Sequence, residues 1–309
     1  MSKKIIRSPL FYTGDKYKII SSIKEYFPKK IRKFIEPFVG GGSVFLNVDA
    51  EEFYENDIDS NIISIHKYFS SYTEPEPLIE LLLSKINNYG FSCSFLDGGT
   101  SVPKELKEKF VKTYYAKYNK SSYINLKDKY NSSDRNDIAD LYLLLIYGFN
   151  RMIRFNNEGK FNLPVGNVDF NKNAYESINN YIKLVNTKKI HWFSEDFNSF
   201  LNKMEVNQDD FIYLDPPYLI TSSEYNKIWT REDDNKLMNL LDIFDSRHIP
   251  FAMSNVINYK DRVNENLVTW SEKYKIFPIK SNYINYHDNS TKTFREVLIT
   301  NYDSERKKL

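Results

Sequence analysis

Apolar and polar residues follow two different periods in the first 70 residues of the chain. Short apolar runs at Lys33–Val39 and Glu52–Asn56 predict β-strands, and apolar residues at helical spacing in Asn61–Phe69 predict a helix. The three glycines at 40–42 predict a turn, and Ser43 after them is placed to cap the start of a helix. Strands and helices in this alternating order predict a parallel sheet.

The alternation stops after Thr73–Pro77. Residues 76–149 read almost entirely as helix, which predicts an inserted helical subdomain. The next residues, 151–164, form two short runs around Gly159 and predict a β-hairpin in which this glycine adopts a positive φ. A further helix is predicted near 172–185.

Strand patterns return in the second half of the chain. They lie at Lys189–Phe193, Asp210–Leu214, Ile249–Met253 and Glu296–Tyr302. We therefore predict an α/β fold whose open sheet is interrupted once. Residues 1–71 and 186–309 would form the sheet domain, and residues 72–185 would form the insertion, with its hairpin at about 151–164.

Composition narrows the class of protein. With 41% hydrophobic and 16% aromatic residues, the chain can bury a sizeable core, so it is neither disordered nor collagenous. Its longest apolar run, Leu141–Phe149, is far shorter than the roughly 20 residues that span a bilayer. The segment Met1–Pro9 is basic but lacks the apolar stretch of a signal peptide. We therefore expect a cytoplasmic protein without a membrane span.

Cysteine, histidine and net charge exclude further classes. The single Cys93 allows neither an internal disulfide nor a cysteine-built zinc site. The four histidines, at 66, 191, 248 and 287, show no ligand spacing, so no metal is expected. Because the formal charge is only +2, any affinity for nucleic acid must come from local basic patches.

Glycines at the first strand-to-helix turn suggest a ligand loop. Gly40, Gly41 and Gly42 let a ligand approach the backbone closely, but they do not fit the Gly-x-Gly-x-x-Gly fingerprint of dinucleotide enzymes. Asp57 ends the second strand, where open α/β folds place an acid that accepts the hydroxyls of a ribose. The alternatives are a tight structural turn for the glycines and, for Asp57, a cap on the helix that begins near Asp59.

The sequence Asp215-Pro216-Pro217-Tyr218 directly follows the apolar strand at 211–214. Two prolines without N–H groups make a rigid turn, so the Asp215 carboxylate and the Pro216 carbonyl project as acceptors from a strand end. Such acceptors suit the exocyclic amine of a base such as adenine, whose N6 lone pair is delocalised into the ring, and Tyr218 can stack on that base. The alternative is a stiff turn that only caps the strand.

The predicted hairpin combines basic, aromatic and amide side chains. The candidate DNA contacts are Arg151, Arg154, Phe155, Asn156, Asn157, Lys160 and Asn162. Basic groups can reach phosphates or guanine edges, an aromatic ring can insert at a base step, and amides can bond base edges. In the alternative interpretation, the hairpin merely packs on the helical insertion.

In combination, these motifs resemble the Dam-type adenine-N6 DNA methyltransferases (D12 class, alpha group) over nearly the whole chain. The glycine loop, the target-recognition insertion and the Asp-Pro-Pro-Tyr motif follow in the same order. The hairpin and the segment Tyr225–Trp229 are most similar to those of the EcoRV-modifying members. The resemblance implies a Rossmann-like methyltransferase sheet, S-adenosyl-L-methionine (AdoMet) as cofactor, and extrusion of one adenine from duplex DNA.

The resemblance also implies roles for individual residues. The catalytic residues would be Asp215, Pro216, Pro217 and Tyr218. The AdoMet contacts would be Tyr12, Gly14 and Lys16 in an N-terminal segment, Glu36, Pro37, Phe38, Gly40, Gly41, Gly42 and Ser43 in the loop, Asp57 and Ile58 at the ribose, and Asp196 and Phe197 at the adenine of AdoMet. Ser254 and Asn255 correspond to the strand past the active site. Tyr12 stands where Trp is frequent in the family, and Asp15 where a second Gly is frequent.

The implied activity is transfer of a methyl group to adenine N6 in double-stranded DNA. The site would be short and palindromic with a guanine-adenine-thymine start, and the protein would be a monomer serving restriction-modification in a prokaryotic cell or phage. Two alternatives stay open, an N4-cytosine or RNA-adenine methyltransferase and a catalytically silent DNA-binding paralogue. Members acting on cytosine N4 more usually carry Ser in place of Asp215, and the intact Asp215, Asp57 and glycine loop disfavour a silent paralogue.

Overall fold

The computed structural model describes residues 4–221, 229–279 and 295–303 of the 309-residue chain. Contacts divide the chain into two compact units. The helical unit contains the described residues of Met1–Asp15, Gly40–Gly42 and Ser60–Thr187, and the sheet unit contains those of Lys16–Val39, Ser43–Asp59 and Lys188–Leu309. Within the described residues, no helix has both the length and the apolar character needed to cross a membrane. A functional boundary of the insertion at 72–185 stays a prediction.

The sheet unit is built on eight described strands. They are β1 (Lys33–Glu36), β2 (Glu52–Asn56), β3 (Ile190–Phe193), β4 (Phe211–Leu214), β5 (Phe251–Tyr259), β6 (Arg262–Val263), β7 (Lys275–Ile279) and β8 (Arg295–Thr300). Their order is β3-β2-β1-β4-β5-β8-β7, and β6 pairs with β5. The first five strands of this order are parallel, whereas β8 runs antiparallel to both β5 and β7. The predicted Rossmann-like α/β sheet is therefore confirmed.

Most helices of the described residues belong to the helical unit. The helices are α1 (Ile20–Ile23), α2 (Ser60–Ser70), α3 (Pro75–Tyr89), α4 (Ser94–Asp97), α5 (Lys104–Lys109), α6 (Tyr114–Tyr118), α7 (Lys120–Ser132), α8 (Ile138–Tyr147), α9 (Lys172–Val185), α10 (Phe197–Lys203), α11 (Arg231–Ser246) and α12 (Glu265–Ser271). Helices α2 to α9 lie in the helical unit, and the other four lie in the sheet unit. The helical character predicted for 76–149 and 172–185 is confirmed.

The core of the sheet unit forms where helices cover one face of the sheet. Ile35, Ile212 and Leu214 from the central strands are fully buried together with Phe200 of α10 and Leu241 of α11. Complete burial of such a side chain contributes about 1.5–3 kcal/mol. The central strands are thereby held as a rigid base for the loops that follow their carboxyl ends.

The predicted helix start at Ser43 is wrong. The residues after the glycines form only a short 3₁₀ turn, Phe45–Asn47, with Val44 at the N-cap position and no side-chain cap. Because β2 already begins at Glu52, too little chain remains for a full helix. The first strand is also shorter than predicted and ends at Glu36, since Pro37 has no N–H group to continue the ladder.

Asn56, the last residue of β2, joins three segments that follow parallel strands. Its Nδ2 donates to the carbonyls of Pro37 and Glu195, each at 3.0 Å, and its Oδ1 accepts from the Glu195 N–H at 2.9 Å. The Asn56 side chain is fully buried, so all of its polar groups need such partners. This one amide therefore fixes the loops that leave β1 and β3 next to Asp57.

We expect Asn56→Ala to lower the free energy of unfolding by about 2–4 kcal/mol, because three buried hydrogen bonds are lost at once. Urea-induced unfolding measures the change. Asn202→Ala is the matched control, since the Asn202 amide is exposed and bonds only within its own helix. An Asn56 variant no less stable than the control would contradict this role.

Candidate active site

Parallel strands bring four chain segments of the sheet unit to one edge of the sheet. The carboxyl ends of β1, β2, β3 and β4 are followed by Phe38, Asp57, Asp196 and Asp215, respectively. In open α/β sheets, ligands bind at this edge. The residues predicted from the sequence for cofactor binding and catalysis in this unit therefore share one side of the sheet.

Asp215 lies in a compact group of polar side chains. Lys16 Nζ is 2.6 Å from Asp215 Oδ2 and 3.8 Å from Glu296 Oε1. The Tyr218 hydroxyl donates to Asp215 Oδ1 at 2.8 Å, and its oxygen also lies 3.1 Å from Glu296 Oε1. Lys16 and Glu296 are buried, whereas 19% of the Asp215 side chain stays exposed. The Asp215 carboxylate is thus fixed from two sides and still accessible.

Lys16 makes contacts that the resemblance did not imply. The sequence assigns it to AdoMet, but its ammonium contacts the Asp215 carboxylate and lies 5.2 Å from the centre of the Tyr218 ring. The observed contacts therefore belong to the Asp-Pro-Pro-Tyr motif. A contact of Lys16 with AdoMet stays a prediction.

Glu296 is a member of this group that the sequence analysis missed. It is the second residue of β8 and pairs in register with Val256 of β5 and Ile279 of β7, so it was interpreted only as part of the strand. One feature could have indicated its role. Glu296 places a carboxylate in β8, and every residue after it in this strand is buried. Such a residue almost always has a charged partner.

The tyrosines of the site remain protonated at neutral pH. Burial, and after it the negative charge of Asp215, raise the pKa of both Tyr218 and Tyr213 well above the ordinary value. Tyr218 therefore acts as a hydroxyl donor to the carboxylate. The Tyr213 hydroxyl bonds Ser254 Oγ at 2.8 Å, which ties the strand before the motif to β5.

Three aromatic rings cluster beside the ends of β1 and β3. The rings of Phe38 and Phe197 are 5.5 Å apart, and Trp229 lies 5.7 Å from Phe38 and 5.3 Å from Phe197. Asp196 caps α10 by accepting the N–H groups of the next turn through Oδ1. Of the segment Tyr225–Trp229, only Trp229 is within the described residues, and the sequence analysis had not assigned it a role.

Asp57 forms a local turn directly after β2. Its Oδ1 accepts the N–H of Asp59 at 2.9 Å, and both residues precede Ser60, the first residue of α2. The side chain is half-buried, and the neighbouring Ile58 is 64% exposed. A carboxylate can accept about four hydrogen bonds. This contact is therefore compatible with a ribose role, which stays a prediction.

Glu36 forms an unusual pair with Glu55 of β2. The two residues are in register on neighbouring strands and are fully buried. Burial and the nearby Glu55 raise the pKa of Glu36 well above its ordinary value, and burial raises that of Glu55. Burial of the pair therefore favours the protonated form of these carboxyl groups.

The glycine loop lies against Tyr12 in the helical unit. Gly40 has a φ of +48°, and a Cβ placed on it would lie 3.4 Å from the Tyr12 ring. A Cβ on Gly41 would lie only 2.8 Å from the Tyr12 Cβ, so no larger residue fits without movement. Gly14, close to Tyr12 in the chain, also has a positive φ. The structure thus brings Tyr12 together with Gly40 and Gly41 in the helical unit, and their contact with AdoMet stays a prediction.

The predicted hairpin is present and rests on α7. Phe155 and Phe161 form an antiparallel bridge, and Gly159 has a φ of +69° as predicted. The backbone of the buried Phe161 exchanges two hydrogen bonds with the Asn131 side chain of α7, at 2.8 and 2.9 Å. The hairpin therefore packs on the helical insertion, and DNA reading by its exposed residues stays a prediction.

The hairpin residues assigned to DNA differ in how far their side chains are already engaged. Asn156 Oδ1 accepts the N–H groups of Glu158 and Lys160, so this amide shapes the turn. Asn162 Oδ1 accepts from Arg154 Nε at 2.8 Å, and the Asn162 carbonyl accepts from Arg154 Nη2. The exposed Arg154 guanidinium is thus held in one orientation.

The remaining hairpin candidates are less clearly oriented toward a ligand. Lys160 pairs with Glu158 at 3.0 Å, Asn157 is exposed, and Phe155 is half-buried against Phe161. Arg151 lies apart from the turn, with its guanidinium 4.0 Å from the centre of the Phe11 ring. The structure therefore brings together Arg154, Asn156 and Asn162 but not Arg151.

Two exposed residues before the hairpin were not singled out by the sequence analysis. Phe149 is 51% exposed, and Asn150 is exposed with a φ of +53°. The Asn150 carbonyl accepts from Thr13 Oγ1 at 2.8 Å. The signal in the sequence was a large aromatic residue directly after the conformationally free Gly148.

In the described residues, no cluster of His, Cys, Asp and Glu could hold a metal ion.

Residues 12–285 match the family described as D12 class N6 adenine-specific DNA methyltransferase. The chain belongs to this family. The matched range includes the Asp215–Tyr218 motif, the glycine loop and the hairpin, so the whole set of site residues except Glu296 lies inside it.

Curated relatives extend this finding. The chain is 32% identical to modification methylase StsI of Streptococcus sanguinis and 33% identical to type II methyltransferase M.FokI of Planomicrobium okeanokoites, in each case over 98% of this chain and 44% of the relative. It is 26% identical to the DNA adenine methylase of Escherichia coli (strain K12), over 89% of this chain and 87% of the relative. The chain thus spans less than half the length of the first two relatives.

We expect Lys16→Met to lower the free energy of unfolding by about 3–5 kcal/mol, because it leaves Asp215 and Glu296 as close, uncompensated carboxylates. The double variant Lys16→Met/Asp215→Asn should recover more than half of this loss, since one negative charge is removed. Urea-induced unfolding of the single and double variants forms the test.

Lys236→Met is the control, because the Lys236 pair with Glu232 is exposed and screened by solvent. A double variant as unstable as Lys16→Met would show that the ammonium does not stabilise the fold by compensating these charges.

Proposed function

We propose that this chain is the methyltransferase part of a DNA adenine-N6 methyltransferase, which transfers a methyl group from AdoMet to an adenine flipped out of double-stranded DNA. Family membership and the named relatives support the reaction class. The observation that carries the proposal is the Asp215 carboxylate, presented at the carboxyl end of β4 and fixed by Lys16 and Tyr218.

The Asp215 carboxylate has capacity for the substrate amine. An ionised carboxylate offers about four acceptor sites, of which Lys16 and Tyr218 use two. An adenine N6–H group can therefore bond to Asp215 without displacing either partner. A hydrogen bond from N6–H to this carboxylate increases the electron density on N6. It thereby favours a nucleophilic, tetrahedral nitrogen at the moment of transfer. Since the acceptor is fixed beforehand, little reorganisation is required.

The other residues of the motif would select and hold the base. The Pro216 carbonyl offers a second acceptor for the amine, and the two prolines keep it in place because neither has a free φ. Tyr218 offers a ring face for stacking, which contributes about 1–3 kcal/mol per base. Extruding an adenine from the duplex costs a few kcal/mol, and these contacts offset part of that cost.

AdoMet fits polar and steric features of the chain. In the helical unit, the glycine loop has no side chains that would keep a ligand from its backbone. A Cβ on Gly41 would collide with Tyr12. In the sheet unit, Ser43 Oγ is buried with no hydrogen-bond partner among the described residues, as expected of a group that bonds a ligand. AdoMet, when bound, supplies an electrophilic methyl group.

Each cofactor contact has its own supporting chemistry. Asp57 would accept the ribose hydroxyls, and Phe38 and Phe197 would stack on the adenine ring of AdoMet, with Asp196 at the start of α10. Glu36 would contact AdoMet through its buried carboxyl group, whose Oε2 has no hydrogen-bond partner among the described residues. These assignments follow the family motif, and the positions of the side chains at one edge of the sheet support those in the sheet unit.

The DNA partner would be a short palindromic site that begins guanine-adenine-thymine. The hairpin supplies an exposed guanidinium at Arg154, which suits the O6 and N7 acceptors of guanine. We propose that the protein acts as a monomer in the cytoplasm of a prokaryotic cell or in a phage-encoded modification system. Modification-sensitive sequencing of DNA from cells expressing the chain tests both the base and the site, and methylated cytosine or RNA would instead support the other amine-methylating reactions.

We expect Asp215→Ala to lower the single-turnover methylation rate by about 10²–10⁴-fold, because the acceptor for the amine is lost. Binding of AdoMet and DNA should change little, which would show that the variant is folded. Asp261→Ala is the control, since Asp261 is exposed in the β5–β6 turn. A near-normal rate in Asp215→Ala would exclude the catalytic role.

We expect Arg154→Ala to lose about 1–3 kcal/mol of discrimination at one base pair of the site. Asn162→Ala should lose part of the same discrimination, because the Asn162 side chain orients the guanidinium. Methylation of a substrate library with each position varied measures this preference. Lys172→Ala, an exposed basic residue of the same unit, is the control. Equal weakening on all sequences would reassign Arg154 to a phosphate contact.

A further inference from the structure

His66 is a buried polar side chain that none of the proposed chemistry uses. It lies on the buried face of α2, next to Ile62, Ile63, Ile65 and Phe69, and its exposed fraction is 0%. A buried imidazole requires partners for both ring nitrogens, because an unsatisfied polar group in the interior is costly.

Both nitrogens of His66 have partners in the helical unit. Nε2 is 2.9 Å from the carbonyl oxygen of Gly40, and Nδ1 is 2.7 Å from the hydroxyl oxygen of Tyr181 in α9. A carbonyl oxygen can only accept, so Nε2 must carry the hydrogen. In the neutral ring Nδ1 is then an acceptor, and the Tyr181 hydroxyl must donate to it. The contacts thus assign one tautomer.

The charge state agrees with this assignment. Burial lowers the pKa of His66 to about 4, although the bond to the Gly40 carbonyl opposes that shift. The imidazole is therefore neutral at neutral pH. At that pH the hydrogen bonds keep one direction, with Tyr181 donating to His66 and His66 donating to Gly40.

Gly40 is the first residue of the glycine loop, and its backbone is held from two sides. The Tyr12 ring lies beside its Cα, and the φ of +48° is a conformation that glycine adopts without strain. Glycine is also free to adopt other conformations, so an external contact is needed to select this one. The His66 N–H to the Gly40 carbonyl supplies such a contact.

We propose that His66 is a positioning residue that holds the Gly40 carbonyl, and with it the glycine loop, in the conformation that binds AdoMet, while Tyr181 fixes the imidazole in the donating tautomer. The proposal rests on the proposed function only in that the loop binds AdoMet.

Variants at His66 separate positioning from general stability. We expect His66→Leu to raise the Kd and KM for AdoMet about tenfold, which is the scale of one lost hydrogen bond. The single-turnover rate at saturating AdoMet should stay within about twofold, because no group at Asp215 is changed. His66→Gln should restore most of the affinity, since its amide can donate from nearly the same place as Nε2. Calorimetry and initial rates measure these quantities.

Tyr181→Phe tests the second bond with smaller risk to folding. It should weaken AdoMet binding about threefold, the low end of a single hydrogen bond. Tyr147→Phe is the matched control, because the Tyr147 hydroxyl is equally buried in the same unit but donates to the Ser92 carbonyl, away from the loop. Its AdoMet affinity should be unchanged.

Nitrogen-15 chemical shifts of His66 report its tautomer and its charge directly. We expect the Nε2–H tautomer between pH 8 and pH 5, with no protonation near the ordinary pKa of about 6.5. An Nδ1–H tautomer, normal AdoMet affinity in His66→Leu, or equal weakening in Tyr147→Phe and Tyr181→Phe would each overturn the proposal. A wild type that binds no AdoMet would overturn the proposed function as well, whereas normal wild-type binding with unaffected variants overturns only the role of His66.

Discussion

The candidate active site depends on one buried ammonium group. Lys16 brings a positive charge into the interior of the sheet unit, where an unpaired charge is costly, and Asp215 and Glu296 lie near enough to compensate it. Since Asp215 follows β4 and Glu296 lies in β8, the pairing requires Lys16, the catalytic turn and the terminal strand to meet. The geometry of the Asp215 carboxylate is therefore a consequence of charge compensation across the sheet, and Tyr218 adds a second fixed bond.

Sequence patterns predicted the parts of the structure that depend on local periodicity. The strands at 33–36, 52–56, 190–193 and 211–214 and the helices α2 and α9 are short, regular and bounded by turn residues, so their apolar spacing identifies them. The role of Glu296 could not be predicted, because a carboxylate in a strand acquires its partner only when distant strands pair. The prediction of a helix start at Ser43 was wrong for a related reason. The sequence did not show that β2 begins too early to leave room for a helix.

The hairpin illustrates why residue type alone does not identify a DNA-reading side chain. Asn156, Asn162 and Asn131 all have amides suited to base edges, yet in the structure they bond hairpin backbone or the Arg154 guanidinium. A hairpin with a single bridge between Phe155 and Phe161 has few ladder bonds of its own, so side-chain amides replace them. The sequence therefore located the hairpin, but it could not distinguish the residues that build the turn from those available for a contact.

Asp57 after β2 and Asp196 at the start of α10 each have both a backbone contact and a proposed ligand contact. For these two carboxylates, the backbone contact supports the ligand contact. Asp57 and Asp196 each accept backbone N–H groups through Oδ1, which orients the carboxylate before any ligand arrives. Because each carboxylate has acceptor sites beyond those used by the backbone, a cap and a ligand contact can coexist on one side chain. Preorganisation of this kind reduces the conformational entropy lost on binding. The turn contact of Asp57 thus orients the carboxylate that its proposed ribose role would use.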